Sequence, residues 1–215
     1  MIVLVDYGIG NLRSVVNAFE AVGVKLILSA RPEDLRAAER IVLPGVGSFG
    51  EAMRRLEALG LPAVLAEEVV RKKKPFLGLC VGMQLLAERS YEHGEHRGLG
   101  WIPGEVRRLE PASEADGTAL PVPHVGWNSV KAQKGSVLLQ SMPAEPTFYF
   151  VHSYAFRAAD PKAVTGTFDY GGEFSAVVEQ GHIFGTQFHP EKSQKVGLQL
   201  LKNFLAYSGP GEAPC

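Results

Sequence analysis

The amino-acid sequence predicts an α/β protein with a mixed, largely parallel sheet that is flanked by helices and extended by antiparallel strands in the second half. In the first part of the chain, short apolar segments alternate with segments of helical periodicity, which is typical of a parallel sheet covered by helices. From Trp101 onward, short runs rich in β-branched and aromatic residues replace the helical patterns. A final helical pattern, marked by apolar residues from Val196 to Leu205, closes the chain.

Individual elements follow from the same patterns. In the first half we predict strands at 2–5, 25–28, 40–43 and 75–79, and helices at 12–22, 32–39, 51–59, 62–71 and from Met83 onward. In the second half we predict strands at 104–109, 122–130, 137–139, 147–156, 163–168, 175–180 and 183–188. A hairpin is expected at Gln180-Gly181-His182, and Ser193 is expected to be the N-cap of the last helix.

Length and composition limit the class of protein. The 215 residues predict a single domain over 1–207 followed by a flexible tail at 208–215. A formal net charge of -1 lacks the basic excess that nucleic acids attract, so we expect no nucleic-acid partner. Cys80 and Cys215 are too few for a disulfide scaffold, and the sequence shows neither a signal peptide nor an apolar run long enough to span a membrane. We therefore expect a cytoplasmic protein.

Cys80 is the first candidate for chemistry. It follows a buried strand and lies between Gly78 and Gly82, an arrangement that permits a tight turn from strand to helix and exposes the central side chain. The N-terminus of the following helix favours a thiolate and provides N–H donors for an oxyanion. The alternative interpretation, a small buried core cysteine, fits the local sequence equally well.

A second candidate is the tripeptide His189-Pro190-Glu191, which follows the last predicted strand. Pro190 restricts the backbone, so we expect an extended turn that holds the imidazole and the carboxylate in a fixed relation. An alternative is a simple turn without chemistry. Together with Cys80, however, the tripeptide provides a nucleophile, a base and an orienting carboxylate.

Three other motifs carry weaker signals. The loop 7–11 contains two glycines, but Arg13 occupies the position of the third glycine of a dinucleotide loop, so we do not predict a nucleotide site. The glycine-rich segment 44–50 can expose backbone N–H groups or can be a flexible turn. His93 and His96 lack a third ligand nearby, so we expect a solvated loop and no metal.

The sequence also resembles a known family. The segments GLCVGMQ at 78–84 and QFHPE at 187–191 are similar to the two signatures of the class I (triad) glutamine amidotransferases, and PGVG at 44–47 resembles their oxyanion strand. Segments 6–14, 43–49, 124–128 and 150–154 are most similar to the glutaminase subunits of a two-subunit synthase of histidine biosynthesis. The resemblance extends to Tyr207 and implies the flavodoxin-like fold of that family.

The resemblance implies roles for several residues. Cys80 would attack glutamine, His189 would transfer protons and Glu191 would orient His189. Backbone N–H groups of Val81 and of the oxyanion strand, at Val46 and Gly47, would hold the oxyanion. The glutamine pocket would be formed by residues that can also be read as packing residues: Gly47, Gln84, His152, Ser153 and Tyr154.

The resemblance further implies a partner and no cofactor. Ammonia would pass to a separate TIM-barrel cyclase subunit, which would dock near Asn11, Trp127, Asn128 and Lys192. Trp127 can equally be a core residue. Two alternatives remain open: a γ-glutamyl hydrolase that works without a partner, and a catalytically silent assembly subunit. The intact set of Cys80, His189 and Glu191 argues against the silent subunit.

Overall fold

The computed structural model describes residues 1–113 and 117–209. The strands are β1 (Ile2–Val5), β2 (Leu26–Ser29), β3 (Arg40–Leu43), β4 (Phe76–Leu79), β5 (Arg89–Ser90), β6 (His96–Arg97), β7 (Gly104–Arg108), β8 (His124–Ser129), β9 (Lys131–Ala132), β10 (Thr147–His152), β11 (Tyr154–Ala158), β12 (Val164–Asp169), β13 (Glu173–Gln180) and β14 (Ile183–Thr186). The α-helices are α1 (Leu12–Ala21), α2 (Pro32–Ala37), α3 (Phe49–Ala58), α4 (Leu61–Leu65), α5 (Val81–Gln84) and α6 (Gln194–Ala206).

An eight-stranded sheet in the order β2-β1-β3-β4-β14-β13-β12-β9 forms the centre of the molecule. The strands from β2 to β14 in this order pair in parallel, and those from β14 to β9 pair antiparallel. The fold class predicted from the sequence is therefore confirmed. Because β4 and β14 are parallel neighbours, with Leu79 opposite Thr186, the residues that follow them emerge at the same edge of the sheet.

Both faces of the parallel strands are buried. Val3 and Val5 pack in one hydrophobic cluster, whereas Ile2 and Leu4 of the same strand pack in another. Successive side chains of a strand point to opposite faces, so the continuous apolar run at 2–5 is explained by helices on both sides. α6 contributes Leu200, with its neighbours, to the second cluster.

Two smaller sheets lie outside the central sheet. β8 and β10 form an antiparallel pair in which Val125 is opposite Val151 and Trp127 is opposite Tyr149. The other has the order β11-β7-β5-β6, so part of the predicted polar loop at 88–97 forms two short strands. The predicted hairpin is confirmed, because β13 and β14 pair antiparallel across Gly181.

Some predictions of local structure were wrong. Residues 137–139 form a turn and not a strand, because the Glu179 carboxylate accepts hydrogen bonds from the backbone N–H groups of Val137 and Leu138, each at 2.9 Å. The helix predicted from Met83 onward is a single turn that ends at Gln84. The helix predicted at 62–71 divides into α4 and a π-helical segment, Ala66–Arg71.

Two further predictions concern the start of α6 and the residues that follow its end. Ser193 occupies the N-cap position as predicted, but its hydroxyl donates to the His189 carbonyl and does not cap the helix. Within the predicted tail at 208–215, residues 210–215, including Cys215, lie outside the described residues. In the described ranges, every helix is too short or too polar to cross a membrane.

Candidate active site

Cys80 lies at the turn between β4 and α5 with φ 52° and ψ −106°, a backbone region that residues other than glycine rarely adopt. Its N–H donates to the Thr186 carbonyl at 2.7 Å, and its own carbonyl accepts from Met83 and Gln84. These hydrogen bonds hold the strained conformation. The predicted turn is confirmed, although the unusual φ falls on Cys80 itself. The prediction that the side chain is exposed was wrong. Cys80 is only 4% exposed to bulk solvent, and its side chain faces a cavity.

The two glycines beside Cys80 are required by close packing. A Cβ on Gly82 would lie 2.1 Å from the Leu43 carbonyl oxygen. A Cβ on Gly78 would lie 2.4 Å from the Gly82 carbonyl oxygen. Both distances are far below van der Waals contact, so only glycine lets β3, β4 and the first turn of α5 approach this closely.

His189 and Glu191 form a buried pair after β14. The Nδ1 of His189 lies 2.8 Å from a Glu191 carboxylate oxygen, and both side chains are 3% exposed. An ionised carboxylate only accepts hydrogen bonds, so Nδ1 carries a proton. The Nε2 atom has no hydrogen-bond partner among the described residues. Burial lowers the pKa of His189, but the Cys80 and Glu191 side chains outweigh burial and raise the pKa to about 10.

Cys80 and His189 both line a cavity of about 240 Å³. Its size suits a small, amino-acid-sized ligand. Its lining residues are Val46, Gly47, Cys80, Val81, Gln84, Glu92, Pro123, Val151, His152, Ser153, Tyr154 and His189. The lining therefore contains every residue predicted for the pocket and the oxyanion site, together with Cys80 and His189, while Glu191 reaches the cavity only through His189.

The predicted oxyanion strand packs tightly beside Cys80. A Cβ on Gly45 would lie 2.8 Å from both the Gly82 nitrogen and the Val81 Cβ. The Tyr7 hydroxyl donates to the Pro44 carbonyl at 2.7 Å. Burial, with a smaller contribution from Cys80, raises the pKa of Tyr7, so this hydroxyl keeps its donor proton. The segment is thus anchored on one side and faces the cavity at Val46 and Gly47.

Amide and imidazole side chains hydrogen-bond behind the cavity. The Tyr154 carbonyl accepts hydrogen bonds from Gln84 Nε2 and from His152 Nδ1, each at 2.9 Å. Gln84 Nε2 also donates to Gln187 Oε1 at 3.1 Å, and Gln187 Nε2 donates to the Cys80 sulfur at 3.7 Å. Gln187 is fully buried.

His152 has a second histidine as its neighbour. Because its Nδ1 donates to a carbonyl, its Nε2 accepts from His124 Nδ1 at 3.1 Å. Burial lowers the pKa of His124 to about 4. The pKa of His152 is lowered to about 3, mainly by burial and to a smaller extent by nearby His124 and His189, while the hydrogen bond to the Tyr154 carbonyl acts in the opposite direction. Both rings are therefore neutral near pH 7.

The four residues predicted for a partner interface have different local surroundings. Trp127 is 49% exposed, and its ring meets Tyr149 edge-on at 5.9 Å, with the Lys192 ammonium 5.4 Å from the same Tyr149 ring. Asn128 is half-buried and donates to the Asp169 carbonyl at 2.9 Å. Asn11 is the N-cap of α1 and accepts from the Ser14 N–H at 3.4 Å. The alternative of Trp127 as a core residue is wrong.

Sequence reasoning missed several residues around the cavity. Glu92, Pro123 and Val151 line the cavity, and Gln187 contacts the sulfur from behind it. Gln187 stood inside the QFHPE signature, but only the adjacency of β4 and β14 reveals its contact. Among residues 1–113 and 117–209, no three metal-binding side chains are placed to hold an ion, and this range includes His93 and His96.

Comparisons with known proteins place the chain in a family. The model of the family "Glutamine amidotransferase class-I" matches residues 3–207. The chain therefore belongs to the class I glutamine amidotransferase family.

Within this family, the chain is highly similar to subunits of one synthase. "Imidazole glycerol phosphate synthase subunit HisH 1" of Campylobacter jejuni is 47% identical over 205 residues, covering 95% of this chain and 99% of the relative. "Imidazole glycerol phosphate synthase subunit HisH" of Aquifex aeolicus is 47% identical over 203 residues and 94% of each chain. The same subunit of Rhodospirillum rubrum is 44% identical over 215 residues, covering 96% of this chain and 99% of the relative.

Solved structures agree in fold. A crystal structure of a glutamine amidotransferase superposes with a TM-score of 0.72 at 20% identity, covering 95% of this chain and 97% of the other. The structure of PurLQS from Thermotoga maritima gives a TM-score of 0.71 at 19% identity, covering 95% and 96%. At such identities the likeness supports the fold alone.

Proposed function

We propose that this chain is the glutaminase subunit of imidazole glycerol phosphate synthase. It hydrolyses L-glutamine to glutamate and ammonia, and the ammonia passes to a TIM-barrel cyclase subunit that makes imidazole glycerol phosphate and AICAR in histidine biosynthesis. The observation that carries the proposal is the convergence of strained Cys80 and the His189–Glu191 pair on one small cavity. The high identity to subunits of that name over nearly the whole chain supports the choice of synthase.

The first half of the reaction forms a thioester. The Cys80 thiolate attacks the side-chain amide carbon of glutamine, and the carbonyl π electrons move to oxygen. Backbone N–H groups of Val81 and of the oxyanion strand, at Val46 and Gly47, stabilise that oxyanion. As the C–N bond breaks, His189 gives the proton on Nε2 to the departing nitrogen, which leaves as ammonia. The raised pKa of His189 keeps this proton in place until it is needed.

The second half regenerates the thiolate. Neutral His189 now takes a proton from water through Nε2, and the hydroxide attacks the thioester carbonyl. The tetrahedral intermediate collapses, the C–S bond breaks and glutamate leaves, so the net reaction consumes one glutamine and one water. Throughout, Glu191 accepts the hydrogen bond from Nδ1 and fixes the tautomer and the orientation of the ring. No cofactor takes part in these steps.

The lining of the cavity suits the backbone end of glutamine. Glu92 places a carboxylate at the cavity wall, and one of its oxygens also accepts from the Phe49 N–H at 2.6 Å. This fixed negative charge pairs with the substrate α-ammonium group. Gly47, Gln84, His152, Ser153 and Tyr154 line the remaining wall and shape the pocket.

The mouth of the cavity offers a docking surface for the cyclase. Val46 and Val151, which line the cavity, are each 37% exposed, and Val125 opposite Val151 is 55% exposed. Trp127, two residues further along β8, extends this apolar strip, and Lys192 adds a positive charge beside it. Exposed apolar groups around a cavity mark a protein interface, and a partner seated there would receive ammonia directly. Asn11 and Asn128 would lie at its rim.

The test compares glutamate release from glutamine by this chain alone with release in the presence of the barrel cyclase and its nucleotide ligand. We expect strong activation on mixing. High activity that the cyclase does not change would instead support a partner-independent γ-glutamyl hydrolase. Absence of glutamate release in both samples would support a silent assembly subunit.

We also propose a cytoplasmic location and a single functional domain over residues 1–207.

The division of labour between the subunits gives a second test. Cys80→Ala should abolish synthesis from glutamine in the reconstituted pair and leave synthesis from added ammonium salts, because the cyclase needs ammonia and not the thiol. Product formation with each nitrogen source measures this. Loss of both activities would mean that Cys80 is structural.

A further inference from the structure

We infer that Gln187 is a positioning residue for the nucleophile, because its buried side-chain amide donates an N–H to the Cys80 sulfur. The inference deepens the proposed function and rests on it for its role in turnover. Gln187 Nε2 lies 3.7 Å from Cys80 Sγ, within the range of an N–H···S hydrogen bond. The two residues are 107 positions apart in the sequence.

The direction of this hydrogen bond is fixed by its neighbours. The Tyr154 carbonyl can only accept, so the Gln84 amide turns its nitrogen toward it. The second N–H of Gln84 then points to Gln187 at 3.1 Å, which requires an acceptor, so Gln187 presents its oxygen there. The nitrogen of Gln187 is thereby turned toward Cys80. Reversing the Gln187 amide would place two donors against each other.

Gln187 acts on the sulfur and not on the substrate. It is fully buried, and it is not part of the cavity lining that contains Cys80, Gln84 and Tyr154. It follows β14, the parallel neighbour of β4, and its backbone N–H is held by the Ala176 carbonyl at 2.8 Å. The amide therefore approaches Cys80 from behind, while the cavity lies on the other side.

The chemistry of sulfur gives this contact a function. A thiolate accepts hydrogen bonds strongly because it carries a full charge, whereas the sulfur of a thioester accepts only weakly. The Gln187 N–H therefore favours the thiolate over both the thiol and the thioester. It stabilises the nucleophile before attack, and it stabilises the departing thiolate when water has added to the thioester.

The experiment measures the reactivity of Cys80 in the free chain. Alkylation by iodoacetamide is followed from about pH 5 to about pH 10, and mass spectrometry quantifies the peptide that contains Cys80, so that Cys215 does not contribute. In Gln187→Met, which lacks the donor, we expect the midpoint of the profile to rise by roughly 0.5 to 1 pH unit. The alkylation rate below that midpoint should fall roughly 3- to 10-fold.

Two further variants complete the design. Gln187→Glu keeps the length of the side chain and replaces the donor with a carboxylate, so its alkylation midpoint should rise further than that of Gln187→Met. If Gln187→Met does not fold, the Gln187→Glu variant is measured in its place. Thr186→Val is the matched control, because it removes a buried polar group from the adjacent position, where the hydroxyl donates to the Phe188 carbonyl at 3.1 Å and does not contact the sulfur.

An unchanged midpoint in either folded Gln187 variant, or an equal shift in Thr186→Val, would overturn the inference. The outcome is separable from the proposed function, because alkylation requires neither glutamine nor the cyclase. A shifted profile without glutaminase activity would reject the proposed function alone. Glutaminase activity with an unshifted profile would reject the role of Gln187 alone.

Discussion

His189 is the residue whose protonation depends most directly on its neighbours in the site. Burial alone would lower its pKa, yet the Cys80 and Glu191 side chains raise the pKa to about 10. Because the pKa is raised above the ordinary value of about 6.5, the charged ring contributes stability that is fully present below about pH 6.5. That contribution is lost as the pH rises through about 10. The charged His189–Glu191 pair is therefore lost at alkaline pH.

Removing the sulfur should lower the pKa of His189. In Cys80→Ala, burial and Glu191 remain but the contribution of Cys80 disappears, so we expect the pKa of His189 to fall by one unit or more. Titration of the imidazole signals by NMR measures the change. Cys80→Ser should lower the pKa similarly, because a hydroxyl stays neutral in this pH range. An unchanged pKa of His189 in both variants would contradict the contribution of Cys80 to that pKa.

Glu92 is expected to determine substrate affinity. Glu92→Gln removes the negative charge while keeping an oxygen that can accept from the Phe49 N–H. We expect the KM for glutamine to rise roughly 10- to 100-fold with a smaller change in kcat, because a charged hydrogen bond to the substrate ammonium is lost. Steady-state kinetics of the activated complex measures this. A change confined to kcat would place Glu92 in the reaction and not in binding.

Single residues also show how far sequence reasoning reaches. The grouping of Cys80 with His189 and Glu191 was predicted, because each lies directly after a strand of an expected parallel sheet. Gln187 was not assigned a role, since its amide direction depends on Gln84, which lies on another element. Local sequence reveals where a side chain emerges but not which distant atom completes its hydrogen bonds.

At the scale of elements, the short helix α5 is positioned by contact with a strand end. Its Gly82 packs directly on the carbonyl of Leu43, the last residue of β3. Both atoms belong to the backbone, so neither can move away by changing a side-chain rotamer. The oxyanion strand begins at the next residue, Pro44, and any displacement here changes the site.

Gly82→Ala should therefore lower both stability and activity. The added Cβ would lie 2.1 Å from a backbone oxygen, and relieving the overlap should cost about 1–3 kcal/mol of unfolding free energy. Chemical denaturation measures the change. The control is Gly50→Ala within α3, where the three atoms nearest to the added Cβ all belong to the His96 ring, which can move by changing rotamer. The gain in helix propensity offsets that contact. Equal destabilisation of the two variants would refute this explanation.

Elements were predicted well wherever apolar periodicity was long. Apart from β9, which was not predicted, the strands of the central sheet and the helices α1, α3 and α6 appear within a few residues of their expected positions. The short apolar run at 137–139 misled the prediction, because Glu179 binds its backbone from a distant strand. The helix after Cys80 is shorter than its apolar pattern indicated, since the pattern reports burial and the residues remain buried in turns.

At the scale of the whole molecule, the two buried neutral histidines make folding sensitive to acid. The pKa of His124 is lowered to about 4 and that of His152 to about 3. Because these values lie below about 6.5, the unfolded chain binds more protons at acidic pH, so stability falls as pH falls below about 6.5. His189 adds no slope in that window, since its ring is protonated in both states.

Acid titration of stability tests this linkage. Between about pH 6.5 and pH 4, each histidine should contribute a slope of up to about 1.4 kcal/mol per pH unit in unfolding free energy. His124→Phe should reduce the slope because it removes the titrating imidazole. Phenylalanine fits this position, since Phe150, Phe168 and Tyr170 already surround the ring. The exposed His93→Gln is the control and should leave it unchanged. Equal slopes in wild type and His124→Phe would exclude His124 as a source of acid sensitivity.

The pairing of β4 with β14 has a consequence for how the protein matures. The two strands come from opposite halves of the sequence, and the contact between Cys80 and Gln187 spans 107 residues. Contacts of such long range form late in folding because a large loop must close first. The activated thiol is thus absent from the nascent polypeptide until most of it has been synthesised. A newly made chain therefore lacks the contacts that activate Cys80, and a rise in the reactivity of this thiol would report when the native topology has formed.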